Sequence, residues 1–379
     1  MSRPPRLAVF LSTSGHSGVD RMMARLLPAV AARGVRVHLL KIDGHGPHLD
    51  PSDGLEIHPL GTSHTATALP ALVRYLRRYR PAALLSDKDK CNRMAIWARR
   101  LARVDTRVVV SSGTHITTAL AQRGRLEALS QRLSMRLFYR WADAVVTPSE
   151  GAADDLAQVT GLPRGRITAI PIPSVDDALF AAAAEPVGHS WLLDDGVPVV
   201  LGVGELSGRK DFATLVRAFA RVRRQRVCRL VILGEGKERG ALERLSAALD
   251  VAGDVALLGF TANPYPYMAR CDAFALTSTC EGLGLVIVEA LALGARVVAT
   301  DCPSGPRETL ADGRHGFLAP VGDDAAVAEG LLAAIDRRLP APGPAAVPTF
   351  TVESSVQRYL QVLGLAKLGN GERRGRGQI

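Results

Sequence analysis

Short apolar runs alternate along the chain with longer segments whose apolar positions recur at helical spacing, which is the pattern of βα units and mostly parallel sheets. In the first half, residues 6–11, 35–41, 82–85, 107–111, 144–147 and 167–170 predict strands. Residues 19–33, 69–80, 93–101, 125–140 and 150–160 predict the helices between them. Over 171–198 the alternation weakens, with prolines at 171, 173, 186 and 198 and a run of alanines, which predicts an interdomain connection. A second alternation then starts afresh. Its strands are predicted at 199–202, 229–233, 255–258, 273–276 and 296–300, and its helices at 212–224, 239–249, 285–293 and 324–337. A proline-rich spacer, 340–348, precedes a last amphipathic helix at 352–365. The fold class is therefore α/β, with two doubly wound parallel-sheet domains. Ligands of open α/β sheets bind beyond the carboxyl ends of the strands, so a site in the cleft between the domains is expected.

Composition narrows this picture only a little. A length of 379 residues suits two domains, and 47% hydrophobic with 22% charged residues describes a soluble globular chain. Lys and Arg outnumber Asp and Glu by 47 to 37, a formal net charge of +10, which attracts nucleic acids, anionic lipid headgroups and diphosphate-bearing substrates alike. Nucleic acid is set aside, because aromatic residues make up only 5% and no binding motif is recognisable. The five cysteines form no CxxC pair and no metal-ligand spacing, which predicts reduced thiols and a cytoplasmic protein. The apolar start at 7–11 is too short for a signal-peptide core. The greasiest stretch, 282–300, contains Glu289 and Arg296 and breaks at Gly294, so it reads as a buried helix and strand rather than a membrane span. Residues 369–379 form a glycine- and arginine-rich tail, expected to fray.

The most informative segment is Thr279-Cys-Glu-Gly-Leu-Gly-Leu-Val-Ile-Val-Glu289. Gly282 and Gly284 let backbone approach a ligand closely, and the helix that follows points its free amides at whatever sits there. That suits a diphosphate, with the amides of 283–285, including those of Leu283 and Leu285, as donors. Glu289 lies about a turn and a half into the helix, where a carboxylate can accept from two vicinal ribose hydroxyls. Glu281, before the turn, is placed to accept from a sugar ring. The alternative is a solvated pair of glutamates around a plain turn, but the helix is otherwise apolar and a buried carboxylate needs a partner.

This segment resembles the glutamate–seven–glutamate signature of glycosyltransferase family four, also called glycosyl transferases group one. Val297-Val-Ala-Thr-Asp-Cys-Pro-Ser-Gly-Pro-Arg-Glu308 and Asp312-Gly-Arg-His-Gly-Phe-Leu318 also resemble that family's C-terminal domain. The resemblance runs from about residue 7 to 323. It implies a GT-B architecture of two Rossmann-like domains and a retaining transfer of a hexose-type sugar from a UDP- or GDP-linked donor. The hydroxyl acceptor is implied to be lipid-linked or part of a polysaccharide or cell-envelope glycan. The expected domains are 1–175 on the acceptor side, a linker at 176–198 and a nucleotide-sugar-binding domain at 199–349. A C-terminal helix at 350–368 is expected to return to the first domain, ahead of the 369–379 tail.

Other positions take their roles from the same resemblance. The family places an arginine after the second glycine of Gly202-Val-Gly204 and a lysine five residues further on, clamping the donor diphosphate. Lys210 fits the lysine, whereas Glu205 stands at the arginine position, and Arg209 is the candidate substitute. A carboxylate beside a diphosphate repels it unless turned away or paired. Gly234, in Leu233-Gly-Glu-Gly236, reads as another phosphate-side turn, and the base is expected near Gly259-Phe260-Thr261. Ser14-Gly15-His16-Ser17-Gly18 resembles the family's N-terminal glycine loop, with Gly15, His16 and Gly18 near phosphates and acceptor. His115 corresponds to a histidine that contacts the transferred sugar or phosphates, and is grouped with Lys210 and Glu281 as catalytic. Asp87-Lys-Asp89 is similar to the metal-binding Asp-x-Asp of the other major transferase fold. Between Lys88 and Lys90 it reads instead as a solvated loop or acceptor-side surface, and no metal or other cofactor is expected. Arginine-rich helices in the first half suit peripheral docking at an anionic membrane on the cytoplasmic side, or ordinary solubility. Competing readings are a GT-B-fold epimerase or phosphorylase, a dehydrogenase, and a non-catalytic sugar-nucleotide-binding protein.

Overall fold

The computed structural model describes residues 4–15, 17–193 and 196–366. The chain divides into two compact units, Met1–Pro173 with Val352–Ile379, and Ser174–Thr351.

The first unit is built on seven parallel strands: β1 (Arg6–Phe10), β2 (Arg36–Lys41), β3 (Leu55–Pro59), β4 (Ala83–Asp87), β5 (Arg107–Ser111), β6 (Ala144–Thr147) and β7 (Ile167–Ala169). They lie in the order β3-β2-β1-β4-β5-β6-β7. Apolar side chains on both faces explain the continuous runs. Leu7 and Val9 of β1 enter one core cluster, while Ala8 and Phe10 enter the other. Helix Val352–Val362 completes the first of these clusters with Val356, Tyr359 and Leu360, against Met22 and Leu26 of helix Gly18–Ala31. Ser355 Oγ donates to the Pro171 carbonyl at 2.7 Å, and Arg107 Nε to that of Val362 at 2.7 Å. Such burial stabilises by roughly 1.5–3 kcal/mol for each large apolar side chain, which is why helix Val352–Val362 belongs to the first sheet.

The second unit has six parallel strands: β8 (Val199–Val203), β9 (Arg229–Leu233), β10 (Val255–Gly259), β11 (Ala273–Leu276), β12 (Val297–Thr300) and β13 (Gly316–Ala319). Their order is β10-β9-β8-β11-β12-β13. The order reverses between β8 and β11 here, and between β1 and β4 in the first unit. Each reversal opens a crevice at the carboxyl ends of those strands, the place where doubly wound sheets take ligands.

Within the connection expected over 176–198, helix Asp177–Ala183 and the turn Ser190–Leu192 belong to the second unit. Asp176 caps helix Asp177–Ala183 by accepting from Leu179 N at 2.9 Å. Asn263 Nδ2 and Arg270 Nη1 then tie down its last carbonyls, those of Ala182 and Ala183, at 2.9 and 3.2 Å. The alanine run there is this helix, so it marks a change of unit and not a loop. The tail at 369–379 and the end of the C-terminal segment lie outside the described residues.

Candidate functional site

A charged cluster forms where two loops of the second unit are stitched together at the carboxyl ends of β8 and β11. After β8 the chain turns through Gly204, whose amide donates to Leu233 O at 2.9 Å, and Leu206 N donates to Glu235 O at 2.9 Å. Gly234 has φ +149°, and a Cβ there would lie 1.8 Å from the Gly204 carbonyl oxygen, so only glycine serves. From the other side, Thr279 N donates to Arg209 O at 2.8 Å, and Thr277 Oγ1 to Asp211 O at 2.9 Å. Asp211 in turn caps helix Phe212–Arg223 by accepting from Thr214 N at 3.2 Å.

This stitching brings residues 71 positions apart into direct contact. Lys210 Nζ lies 2.6 Å from Glu281 Oε1, and Arg209 Nη1 lies 3.2 Å from the same oxygen. Ser278 Oγ donates to it as well, at 2.7 Å. Glu281 is 8% exposed. Burial on its own would push the carboxyl up, but Lys210, then Arg209, with hydrogen bonds from Lys210 and Ser278, hold it below its ordinary 4.5. Two cations and one anion leave the cluster with a net charge of +1. It stands just before helix Leu285–Ala292, whose N-cap is Gly284 at φ +77°. The first amides of that helix have no carbonyl within it to bond, so their dipoles add to the positive field. The loop 281–284 is backed by a second one. Ser304 Oγ donates to Glu281 O at 2.7 Å, and a Cβ on Gly305 would meet Leu283 O at 2.4 Å.

Gly282, Leu283 and Leu285 line this turn and are buried. Glu289 departs from the expectation of a carboxylate facing an open cavity. It is fully buried and accepts from Tyr265 Oη at 3.1 Å, because helix Leu285–Ala292 is enclosed on all sides. Phe260 follows Gly259 at the end of β10 and is 64% exposed, beside the Gly234 turn whose amide donates to Gly259 O at 2.7 Å. Glu205 is exposed to solvent, while Arg209 holds the place beside Glu281. Ser278, Ser304 and Tyr265 were not singled out from the sequence. Hydroxyls that bond a glutamate through a fold-dependent turn leave no spacing signal.

The remaining candidates belong to the first unit and so are not part of this cluster. His115 caps helix Ile116–Ala121, its Nδ1 lying 3.0 Å from Thr118 Oγ1, while its Nε2 lies 3.6 Å from Asp155 Oδ1. Gly15 has φ +90°, and a Cβ there would meet the His48 ring at 2.5 Å. Gly18 opens its helix behind a capping box made by Ser17 and Asp20. His16 lies outside the described residues. Asp87 is not solvated: it ends the central strand β4 at 2% exposure, and burial pushes its carboxyl up to about 6. Among the described residues, no three His, Cys, Asp or Glu side chains are grouped to hold a metal ion.

Residues 197–337 match the family model described as glycosyl transferases group 1, and residues 17–173 match the glycosyl transferase 4-like domain. The chain is 30% identical over 340 residues to the N-acetylgalactosamine-N,N'-diacetylbacillosaminyl-diphospho-undecaprenol 4-alpha-N-acetylgalactosaminyltransferase of Campylobacter jejuni, spanning 86% of this chain and 89% of the relative. It is 28% identical to the lipopolysaccharide core biosynthesis glycosyltransferase LpsE of Rhizobium meliloti, over 91% of this chain and 95% of LpsE. Among solved structures it is similar to Anabaena HepE in complex with UDP-glucose, with a TM-score of 0.75, 20% identity, and 95% and 99% of the two chains covered. It is also similar to the apo lipopolysaccharide outer core galactosyltransferase WaaB, with a TM-score of 0.71 and 17% identity over 95% and 99%. With two parallel-sheet units, the chain has the GT-B fold of two Rossmann-like domains.

The Glu281 cluster has a direct consequence for stability. A depressed carboxyl contributes stability that is present above the unfolded value near 4.5 and is lost as pH falls through the lower folded value. Lys210→Ala is expected to cost about 3 kcal/mol at pH 7 in urea unfolding, by stranding much of a buried charge. Adding Glu281→Gln recovers part of that loss. The gap between native protein and Lys210→Ala narrows below pH 4.5, and an equal gap at pH 7 and pH 3.5 contradicts the assignment.

Proposed function

We infer the reaction from the family: this chain belongs to the glycosyl transferases, group 1, and is a glycosyltransferase. The donor we propose is a nucleoside diphosphate sugar, UDP- or GDP-linked, held by the second unit. The transferred group is a hexose-type sugar, its configuration is retained, and the acceptor is a hydroxyl on a lipid-linked or polysaccharide glycan. The observation that carries this reading is the Lys210–Glu281–Arg209 cluster, with net charge +1, set before the helix Leu285–Ala292. The HepE complex with UDP-glucose supports the choice of donor, and the Campylobacter relative, named for transfer onto a diphospho-undecaprenol-linked sugar, supports the choice of acceptor.

The reaction breaks the bond from the anomeric carbon to the donor phosphate oxygen and makes one to the acceptor oxygen. Negative charge grows on the leaving diphosphate. Lys210, Arg209 and the amides of residues 283–285 are fixed donors that take it up without reorganising. Glu281 accepts from the sugar ring, and the Gly259–Phe260 turn serves the nucleoside. His115 of the first unit touches the transferred sugar or phosphates. The departing phosphate oxygen takes the acceptor's proton, so no separate base is assigned. With two side-chain cations at the diphosphate, the step calls for no metal.

Sugar transfer from UDP- and GDP-linked donors to glycan and lipid-linked acceptors tests this directly. Lys210→Ala is expected to lower kcat by about 100-fold or more, and EDTA to leave the native rate unchanged. Native rates in both Lys210→Ala and Glu281→Ala would overturn the site. Turnover that needs no acceptor, or that consumes phosphate, would move the chain to the epimerase or phosphorylase reading.

The lipid-linked acceptor gives meaning to one helix of the first unit. On helix Arg125–Phe138, Leu126, Leu129, Leu133 and Leu137 are exposed. At helical spacing they fall within an arc of roughly 80°, with Arg125, Arg132 and Arg136 along one edge. Among the described residues no helix is long and apolar enough to cross a membrane. A helix with this pattern lies in the headgroup layer, its arginines on anionic lipid. The chain should co-sediment with phosphatidylglycerol vesicles and not with phosphatidylcholine ones, and Leu126→Ser with Leu133→Ser should release it. Unchanged sedimentation of that variant contradicts peripheral docking through this helix.

A further inference from the structure

Helix Ile116–Ala121 of the first unit is short, and its first amides have no carbonyl within it to bond. A carboxylate from another helix takes them. Asp155, in helix Glu150–Thr160, accepts from Ile116 N at 2.5 Å, from Thr117 N at 3.1 Å and from the Thr117 hydroxyl. It is 6% exposed, and among the described residues no lysine or arginine pairs with it.

Capping a helix accounts for those three contacts. It does not account for the ring that stands beside them. His115 Nε2 lies 3.6 Å from Asp155 Oδ1, while Nδ1, on the other side of the ring, accepts from Thr118 N at 3.4 Å. A backbone amide only donates, so Nδ1 bears the lone pair and the proton of the neutral imidazole is on Nε2. Thr118 Oγ1, 3.0 Å from Nδ1, turns its proton to the same lone pair. Both ring nitrogens are thus assigned by groups of the first unit alone.

This assignment decides what the half-buried ring can do. With its lone pair turned to Thr118, it does not take a proton from an acceptor hydroxyl. It is able to donate one hydrogen bond, because 3.6 Å is too long for a closed bond and leaves Nε2–H within reach of a ligand oxygen. The Asp155 charge beside that N–H holds the proton there and polarises it. Neutral imidazole at a helix N-terminus serves in this way to polarise a substrate oxygen.

We propose that Asp155 is a positioning residue of the transfer: it holds His115 with its proton on Nε2, as a donor to an oxygen of the transferred sugar or diphosphate and not as a base. This rests on the reading that His115 touches that group. It adds the residue that orients the ring and the direction in which the hydrogen bond runs.

Long-range proton–nitrogen correlation on the full chain, isotopically labelled at its histidine nitrogens, reads the tautomer directly at neutral pH, with His115→Gln assigning the signal. Native His115 should show a protonated Nε2 and a bare Nδ1. A proton on Nδ1, alone or in an imidazolium, overturns the proposal with no variant of Asp155 needed. Asp155→Asn keeps an acceptor for the two amides, removes the charge, and should spread the proton over both nitrogens. In the sugar-transfer assay it should lower kcat about tenfold or more, the scale on which a group that orients a functional histidine acts. The donor KM should stay within about twofold, since the contact strengthens the transition state more than the bound donor. In a His115→Ala background the same substitution should change kcat by less than about twofold, because its effect runs through the ring. Equal losses in both backgrounds mark a plain helix cap and overturn the proposal. Slow transfer by His115→Ala with a native rate in Asp155→Asn overturns it too, and leaves the placement of His115 standing. A native rate in His115→Ala strikes that placement first, and this proposal with it.

Discussion

A carboxylate that is 8% exposed keeps its charge in the second unit because three donors meet on one of its oxygens. The Glu281–Lys210 contact depends on β8 and β11 being neighbours, since only then do the loops that follow them touch. It depends equally on glycines at 204, 234 and 305, where added side chains would push those loops apart or clash. In turn it defines the chemistry, because a buried ion pair with an extra arginine is a preorganised positive site that water does not screen well. An isolated buried pair is weak support for stability. Its value here lies in holding two cations at fixed positions before a helix N-terminus.

The first unit shows the same rule with a different outcome. Its sheet also reverses order, between β1 and β4, and again the carboxyl end of the inner strand carries an acid. Asp87 differs from Glu281 in its company. Among the described residues no ion pair forms on it, burial outweighs the nearby Lys88 and pushes its carboxyl up, and one of its oxygens is without a partner. One crevice is completed by the protein's own charges and suits a diphosphate. In the other, an oxygen of the buried Asp87 is left without a partner. Sites of this kind commonly hold local conflicts that the surrounding core sustains.

Much of the fold is legible in the sequence, because strands buried on both faces read as unbroken apolar runs. The runs at 107–111 and 144–147 mark β5 and β6, and 229–233 marks β9. Edge strands are harder. β3, Leu-Glu-Ile-His-Pro, alternates weakly and ends in proline, and β13 is a short run behind a turn-rich stretch. Glu281 and Glu289 stand out because carboxylates are rare within so apolar a segment. Their partners do not: Ser278 and Tyr265 are ordinary residues until β11 and helix Tyr265–Arg270 place them. The lysine neighbours of Asp87 suggest a solvated loop or an acceptor-side surface, whereas its exposure is decided by β4 lying at the middle of the sheet.

The Lys210–Glu281 cluster is proposed as the place where a nucleoside diphosphate sugar binds. Thermal shift with UDP, GDP, ADP and their common sugar conjugates, on native protein and on Lys210→Ala, tests it most directly. One nucleotide series is expected to raise the native midpoint, while Lys210→Ala, shown to be folded, no longer responds. Equal stabilisation of both proteins, or no response to any nucleotide by folded native protein, would contradict it.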